Sequence, residues 1–490
     1  MGCDSVINLR RAHLDDHWKT TFRRNYSASI SRATYENGSI LNGMSVNFKK
    51  GFNAFVGRNG IGKSNFIRSL YNIFISDDSN RAKFSMPLLA EGKVKIEMKV
   101  NDVISEIDFE FGNDSISVDG VVGFMFDPCT LIPSVQKLFL DQDNLEELLE
   151  SYSPIRCSDD DLRLINFLTH GDYNEVLIVN IEDDFQNFPR LPFFIVKNGF
   201  ANYDSRNMGL GELSLFYLYW LVDHMRKSGG NKILFIEEPE SFLPPSTQER
   251  LSDVLAMTAA TMDISIILSS HSEHILKKLP LANVHIMRST HDGTRCSMAA
   301  DNSEPIKLLG LTAKKIGLLL YEDYAAEILL KSLIKMSGRI NQDNFYYCCS
   351  GSDGDILQDL LRFPNDILDF SFVGVFDGDC MGKYNAKLHK TKYCFLPNNA
   401  PPEVFLIDFV KRKTTLHLAT ILGIDSQEVL SAQASAAGCD HHDYFLEFSK
   451  SLNKNLSDVL SRICDYWTGS PENKDAVAAF LKDLEGCCLK

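Results

Sequence analysis

Gly57-Arg58-Asn59-Gly60-Ile61-Gly62-Lys63-Ser64-Asn65 lies between the apolar run Phe52 to Val56 and the helical pattern Phe66 to Phe74. The spacing G-x-x-x-x-G-K-S in a strand-to-helix setting is that of a phosphate-binding loop. Its glycines let the backbone curl so that successive N–H groups face phosphate oxygens, and a helix starting near Lys63 adds its positive N-terminal end. On this reading ATP meets Asn59, Gly60, Gly62, Lys63, Ser64 and Asn65, with Lys63 on the β and γ phosphates and Ser64 on Mg²⁺.

Working outward, Lys232 to Glu240 reads KILFIEEPE, a buried-strand pattern that ends in two acids. That is the second motif a P-loop ATPase needs: Glu237 supports Mg²⁺ through its waters and Glu238 orients the attacking water. Upstream, Met208-Gly209-Leu210-Gly211-Glu212 precedes the amphipathic stretch Leu213 to Val222. The order is that of an ABC-type signature, a loop that closes over the γ phosphate held by an opposite subunit, with Gly209 where serine is usual. Downstream, the apolar run Ile264 to Leu268 leads into Ser269-Ser270-His271-Ser272, which puts His271 at a strand end as a γ-phosphate sensor. Phosphate loop, signature Gly209, Gly211 and Glu212, acidic strand end and histidine together describe an ABC-class head. Such a head hydrolyses ATP only against a second one, and a single set in the chain implies a homodimer or a higher homo-oligomer.

At 490 residues the chain is too long for one compact core. Hydrophobic residues at 44% and charged residues at 23% are ordinary for a folded protein. No apolar run approaches the roughly 18 to 20 residues of a membrane helix, and the polar start lacks a signal-peptide core, so the expectation is a cytoplasmic protein with no membrane contact. The 12 cysteines are scattered without paired C-x-x-C spacing, which indicates neither a zinc site nor a disulfide framework. A formal charge of −15 argues against indiscriminate coating of nucleic acid but leaves room for a local basic groove, and DNA and RNA stay undecided.

Alternating stretches from about Ser27 to Asn47, Lys93 to Met98 and Ile104 to Phe111 predict an antiparallel sheet beside the parallel one. Between about 135 and 170, apolar residues at three- and four-residue spacing predict a helical insertion. It is too short for a long coiled-coil arm, which excludes the chromosome-structuring ATPases. The character of the chain breaks near Asp301 to Thr312.

Beyond that break, IGLLLYED, a helix, NFYYCCSGSDGD, a helix and FSFVGVFDGDC give a β-α-β-α-β order, the pattern of a small parallel α/β domain with its ligands at the carboxyl ends of strands. Glu322 closes the first strand, and Asp377 and Asp379 close the third. An i, i+2 pair in extended chain points both carboxylates to one side, and three clustered carboxylates suit Mg²⁺ or Mn²⁺. Two such ions clamping a phosphodiester is the chemistry implied.

YEDYAAEILL followed by GVFDGDC resembles a Toprim metal site. An ABC-type head joined to Toprim is similar to the OLD (overcoming lysogenization defect) nucleases, from about Ser27 to Asp408. The resemblance implies metal-dependent DNA cleavage, dimeric or larger assembly and a role in antiphage defence. It makes Glu322 the motif glutamate, Asp377 and Asp379 the paired aspartates, Glu327 an accessory acid and Glu403 the late glutamate that completes metal binding. A catalytic lysine is expected after the aspartates, supplied by Lys390 or Lys392. The chain departs from the pattern at Asp323, where glycine is common, and in the five-residue step from Glu322 to Glu327. His389 to Tyr393 and Lys411-Arg412-Lys413 offer a phosphate-backbone track.

The expected fold is α/β: an ABC-type P-loop ATPase domain over 1–310 with the helical insertion, a Toprim domain over 311–405 and a mainly helical region over 406–490. The expected activity is that of an ATP-regulated, Mg²⁺- or Mn²⁺-dependent DNA endonuclease or nickase. The alternatives are a RecF-like DNA-binding clamp ATPase without nuclease activity, and a toxic effector nuclease held in complex with a reverse transcriptase and its RNA-linked DNA.

Overall fold

The computed structural model describes residues 9–37, 40–74, 92–111, 118, 120–185, 188–199, 201–299, 303–310, 315–337, 339–364, 369–383 and 391–488. The chain divides into two compact units, Met1–Ala300 and Asp301–Lys490.

The first unit is built on a six-stranded sheet of β1 (Phe52–Val56), β2 (Val121–Phe126), β3 (Asn231–Glu237), β4 (Ile264–Ser269), β5 (Val284–Thr290) and β6 (Gly293–Met298). Their order is β6-β5-β1-β4-β3-β2, with every neighbouring pair parallel except β5 and β6. All five residues of β1 and all six of β4 are buried. A parallel strand covered on both faces needs such a continuous apolar run. From β1 the chain passes through the glycine loop into helix α1 (Lys63–Ile73), whose Phe66, Ile67, Leu70 and Ile73 are buried at helical spacing.

Beside this sheet, Ala28–Glu36, Ser45–Asn47, Lys93–Val100 and Val103–Glu110 form the antiparallel sheet that their alternation predicts. The insertion contains helix α2 (Pro128–Asp141) and the helices Leu145–Glu150 and Asp159–Thr169. Ser158 starts the last of these with a reciprocal capping box to Asp161. The insertion is not helical throughout its surroundings: a long hairpin, Tyr173–Phe185 with Phe188–Asn198, follows directly and leads through Ala201–Asp204 to helix α3 (Leu210–Lys227).

The second unit holds four parallel strands, β7 (Gly317–Tyr321), β8 (Phe345–Cys349), β9 (Ser371–Phe376) and β10 (Lys392–Phe395), in the order β8-β7-β9-β10. Helix α4 (Tyr324–Lys335) joins β7 to β8, and helix α5 (Asp353–Arg362) precedes β9. Successive residues of one strand face opposite sides. Leu319 packs with Val373 and Val375 on one face, and Leu320 with Ile356, Leu360 and Phe376 on the other.

Six further helices follow, beginning with α6 (Pro402–Arg412) and including α7 (His441–Ser451). Their Leu406, Phe445, Trp467 and Leu484 belong to the same core as Leu319 and Val373. The helical region and the sheet therefore form one body, with no separate core beyond residue 405. Among the described residues, no helix is long and apolar enough to cross a membrane.

Candidate nucleotide site and carboxylate cluster

The phosphate loop takes its shape from glycines. A Cβ on Gly57 would lie 2.1 Å from the Ile61 side chain and 2.7 Å from the Met287 carbonyl oxygen, so no side chain fits there. Gly62, which leads into α1, has φ +97°, a left-handed value that other residues rarely adopt. Lys63 folds into the loop, with Nζ donating to the Gly57 and Arg58 carbonyls at 3.0 and 3.2 Å. Burial pulls its pKa down, and the nearby Glu238, Glu237 and Glu240 push it back up. Asn59 and Gly60 are exposed at the loop's tip.

Glu237 ends β3, 6% exposed, opposite the start of α1. The Ser64 hydroxyl bonds to it. Arg68, one turn further along α1, donates through Nε to Glu237 at 2.8 Å and through Nη2 to Asp127 at 2.7 Å. Burial raises the Glu237 pKa; the Ser64 hydroxyl opposes the rise and Asp127 adds to it. Asp127, at the end of β2, also caps α2 by accepting from the Thr130 N–H. The sequence reading passed over Asp127, yet FMFD, an apolar strand ending in an acid, carries the same signal as the strand before Glu237.

Glu238 sits in left-handed backbone, φ +43°, and His271 Nε2 lies 3.2 Å from its Oε1. At that separation the two groups can form an ion pair when the imidazole is protonated. The imidazole holds the Glu238 carboxyl below the usual range against its burial. The His271 backbone N–H is bound in turn by the buried Glu240 carboxylate, a third acid that the reading of KILFIEEPE left without a role.

At the signature, Gly209 is the exposed N-cap of α3. A Cβ on Gly211 would come within 2.4 Å of the Phe242 carbonyl oxygen, so close approach dictates this glycine. Glu212 Oε1 accepts from the phenols of Tyr173 at 2.6 Å and Tyr203 at 2.7 Å. Both tyrosines come from strands that sequence reasoning did not identify.

In the second unit, acids converge at the carboxyl ends of the strands. Asp377 follows β9 directly and is 4% exposed, with Oδ1 unbonded. Burial, then the surrounding Glu322, Asp323, Asp379 and Asp353, pushes its carboxyl up to about 8. Glu322, after β7, is raised by burial and by Asp353, Asp323 and Asp379, with Lys383 opposing. Glu403, in the first turn of α6, is 1% exposed with neither oxygen hydrogen-bonded in a conventional way. Burial and the adjacent Asp323 carboxyl lift it to about 8.

Two of the expected residues lie elsewhere. Glu327 turns away on α4, where it pairs with Lys331 and accepts from Tyr321 Oη at 2.7 Å. Burial would raise its pKa, and these two partners bring it below the usual range. Lys392 begins β10, and its Nζ donates to Ser371 Oγ at 2.7 Å, at the opposite end of β9 from Asp377. Lys390 lies outside the described residues. Among the described residues, Lys383 reaches the acids, ion-paired with Asp353. Asp353 opens α5 from SGSDGD, and Asp323 occupies the position where the glycine was expected.

Lys411 and Lys413 close α6 at the end away from Glu403, about 12 Å along the helix at 1.5 Å per residue. Lys411 stacks over Tyr444, and Lys413 pairs with Glu472 at 3.4 Å and covers Phe409.

Residues 131–277 match the family model described as "AAA domain, putative AbiEii toxin, Type IV TA system". That span includes the signature, the acidic strand end and His271, and it begins after the phosphate loop. No curated protein matches the chain. Among solved structures, an SMC head domain from Thermotoga maritima is 14% identical, with 55% of this chain and 98% of that chain covered at a TM-score of 0.31. An SMC head bound to the C-terminal winged-helix domain of ScpA is 14% identical over 55% of this chain and 96% of that one, TM-score 0.34. An SMC head with an extended coiled coil, bound to the C-terminal domain of ScpA derived from Pyrococcus furiosus, is 11% identical over 55% and 96%, TM-score 0.35. These superpositions are loose.

Proposed function

We propose that this chain is an ATP-controlled, divalent-cation-dependent DNA endonuclease or nickase of the OLD type, acting in antiphage defence from a Toprim-like second unit. The observation that carries the reading is the set Glu322, Asp323, Asp353, Asp377 and Glu403 gathered at one end of a parallel sheet. Asp377 Oδ1 and both Glu403 oxygens are buried without a hydrogen-bond donor. Unpaired carboxylates of this kind are costly unless a proton or a cation joins them. Hard oxygen donors at such density fit Mg²⁺ or Mn²⁺.

Asp377 and Glu322, with Asp379 beside them, would hold such ions, which when bound activate water and stabilise the leaving oxygen of a phosphodiester. Lys383 supplies positive charge for the phosphate at the edge of the set. In the first unit, the glycine loop and Lys63 bind the triphosphate, Ser64 and Glu237 hold its Mg²⁺, and Glu238 orients water against the γ phosphate. Two heads closing on ATP, as a homodimer clamp or gate, would then control cleavage.

Nicking of supercoiled plasmid in Mn²⁺, with and without ATP, tests this. Asp377→Asn and Glu322→Gln should abolish nicking while ATP binding persists, and Lys63→Ala should remove ATP binding and the nucleotide's effect on nicking. Full nicking by both purified acid variants overturns the reading. A RecF-like clamp ATPase that only binds DNA has no use for this acid set.

The match of residues 131–277 to a toxin family favours one second reading, a toxic effector nuclease held by a partner such as a reverse transcriptase with its RNA-linked DNA. Expression of this chain alone should then arrest growth, and Asp377→Asn should relieve the arrest.

A further inference from the structure

Helix α7 brings an imidazole to the acids from a part of the sequence with no expected role in chemistry. One ligand atom each from Asp323, Glu403 and His442 lies within 4.8 Å of the others. His442 Nδ1 is 3.9 Å from Glu403 Oε1. We propose that these three residues form a cation site of mixed carboxylate and imidazole character that takes Mn²⁺, or a similar first-row transition ion, in preference to Mg²⁺. The inference rests on the acids being cation ligands and is independent of whether DNA is cut.

Glu403 makes the site more than an acidic cluster. It is 1% exposed, and neither of its oxygens has a conventional hydrogen-bond partner. Burying a carboxylate in that condition is unfavourable unless a proton or a cation meets it. Asp323 is placed by its cap on α4, with Oδ1 accepting from the Ala326 N–H at 2.9 Å, and its carboxyl lies against that of Glu403.

The position of His442 is fixed by its backbone. Its N–H donates to Asp440 Oδ1 at 3.1 Å, and its carbonyl accepts from Tyr324 Oη at 3.4 Å. The ring is 67% exposed and packs against that of His441, with centroids 3.9 Å apart. Imidazole suits Mn²⁺, Co²⁺ or Zn²⁺ better than Mg²⁺, which keeps oxygen ligands and sheds water reluctantly.

His442 also lies with Asp440 and His441 in a second, solvent-exposed grouping. That group buries no unbonded oxygen, so the structure favours the side that holds Glu403.

The test is Mn²⁺ binding to the metal-free, nucleotide-free full chain, followed by electron paramagnetic resonance, with spin-echo modulation reporting any nitrogen ligand. The wild type should show imidazole nitrogen coupling on bound Mn²⁺. His442→Ala should lose that coupling and weaken one site by ~10-fold or more, at least what loss of an outer-shell partner costs. Mg²⁺ binding should stay as it was. Glu403→Gln should remove the site and His441→Ala should leave it, with circular dichroism reporting that each variant is folded.

Absence of nitrogen coupling in the wild type, or its persistence in His442→Ala, overturns the proposal. So does a site lost in His441→Ala and kept in Glu403→Gln. Nitrogen-coupled Mn²⁺ in a protein that nicks nothing leaves this inference standing and defeats the nuclease reading. Nicking in Mg²⁺ by a protein without the coupling does the reverse.

Discussion

His271 Nε2 stands 3.2 Å from Glu238 Oε1, and the chain strains its backbone to put it there. Glu238 has φ +43°, a conformation that costs a residue with a side chain about 1–3 kcal/mol. The position is held by the Glu238 N–H on the Ser269 carbonyl at 3.1 Å, and the Glu238 carbonyl accepts from Ser241 Oγ at 2.8 Å. Strain kept in place by neighbours at a strand end and in the following turn is what aims one carboxylate at a fixed point.

Glu238→Gln should therefore retain ATP binding and lose hydrolysis by about 100-fold or more, the range for removing a positioned general base. Equilibrium binding of a fluorescent ATP analogue and steady-state phosphate release measure the two separately. Turnover within a few-fold of wild type would remove Glu238 from the role.

Glu212 accepts two phenolic hydrogen bonds, so its first duty is to tie α3 to the hairpin strands. Tyr173→Phe leaves part of that carboxylate unsatisfied and should destabilise the first unit by about 1–3 kcal/mol. Urea unfolding followed by tryptophan fluorescence reads the loss. ATP affinity of the folded variant should stay within a few-fold of wild type, and a large drop would show that Glu212 acts on nucleotide.

The carboxyl of Asp377 is raised to about 8, chiefly by burial and then by Glu322 and Asp323. Without metal, the folded chain keeps a proton here that the unfolded chain releases near pH 4. Stability is therefore greatest on the acid side and falls as pH rises toward and through 8. Asp377→Asn should flatten this fall, gaining on the order of 2 kcal/mol at pH 9 over wild type. Thermal melts in chelator from pH 5 to 9 test the slope, and added Mn²⁺ should stabilise the wild type most at the alkaline end. A wild-type stability that climbs over this range contradicts the burial of Asp377.

Lys383 and Lys392 separate cleanly. Lys383→Ala should lower plasmid nicking by roughly 100-fold, the scale of losing one charge-stabilising donor. Lys392→Ala, which removes a bond to Ser371 at the far end of β9, should leave the nicking rate within a few-fold and affect stability alone. The reverse ranking would return the catalytic role to Lys392.

Much of this was legible in the chain. The glycine loop, the strand before Glu237 and Glu238, and the strand before His271 are local signals, because a buried parallel strand must be a continuous apolar run and its end is where polar residues begin. Glu322 and Asp377 were readable for the same reason. The family pattern points by spacing to Glu327 and to Lys390 or Lys392, and spacing does not say which way a side chain points. The i, i+4 geometry of α4 gives Glu327 to Lys331, and a strand's polarity puts Lys392 at the wrong end of the sheet.

Asp127, Asp323, Asp353, Lys383 and His442 show what only tertiary structure decides. Each sits in a turn, at the end of a strand or at the start of a helix, places where acids and lysines are common without consequence. Sequence determined a strand-loop-helix of phosphate-binding form and carboxylates at the ends of a second parallel sheet, since both follow from local periodicity and glycine's conformational freedom. Which carboxylates meet, which lysine joins them, and that an imidazole from a distant helix lies beside Glu403 depend on packing across a shared core, where residues far apart in the chain are brought together by the apolar surface they bury.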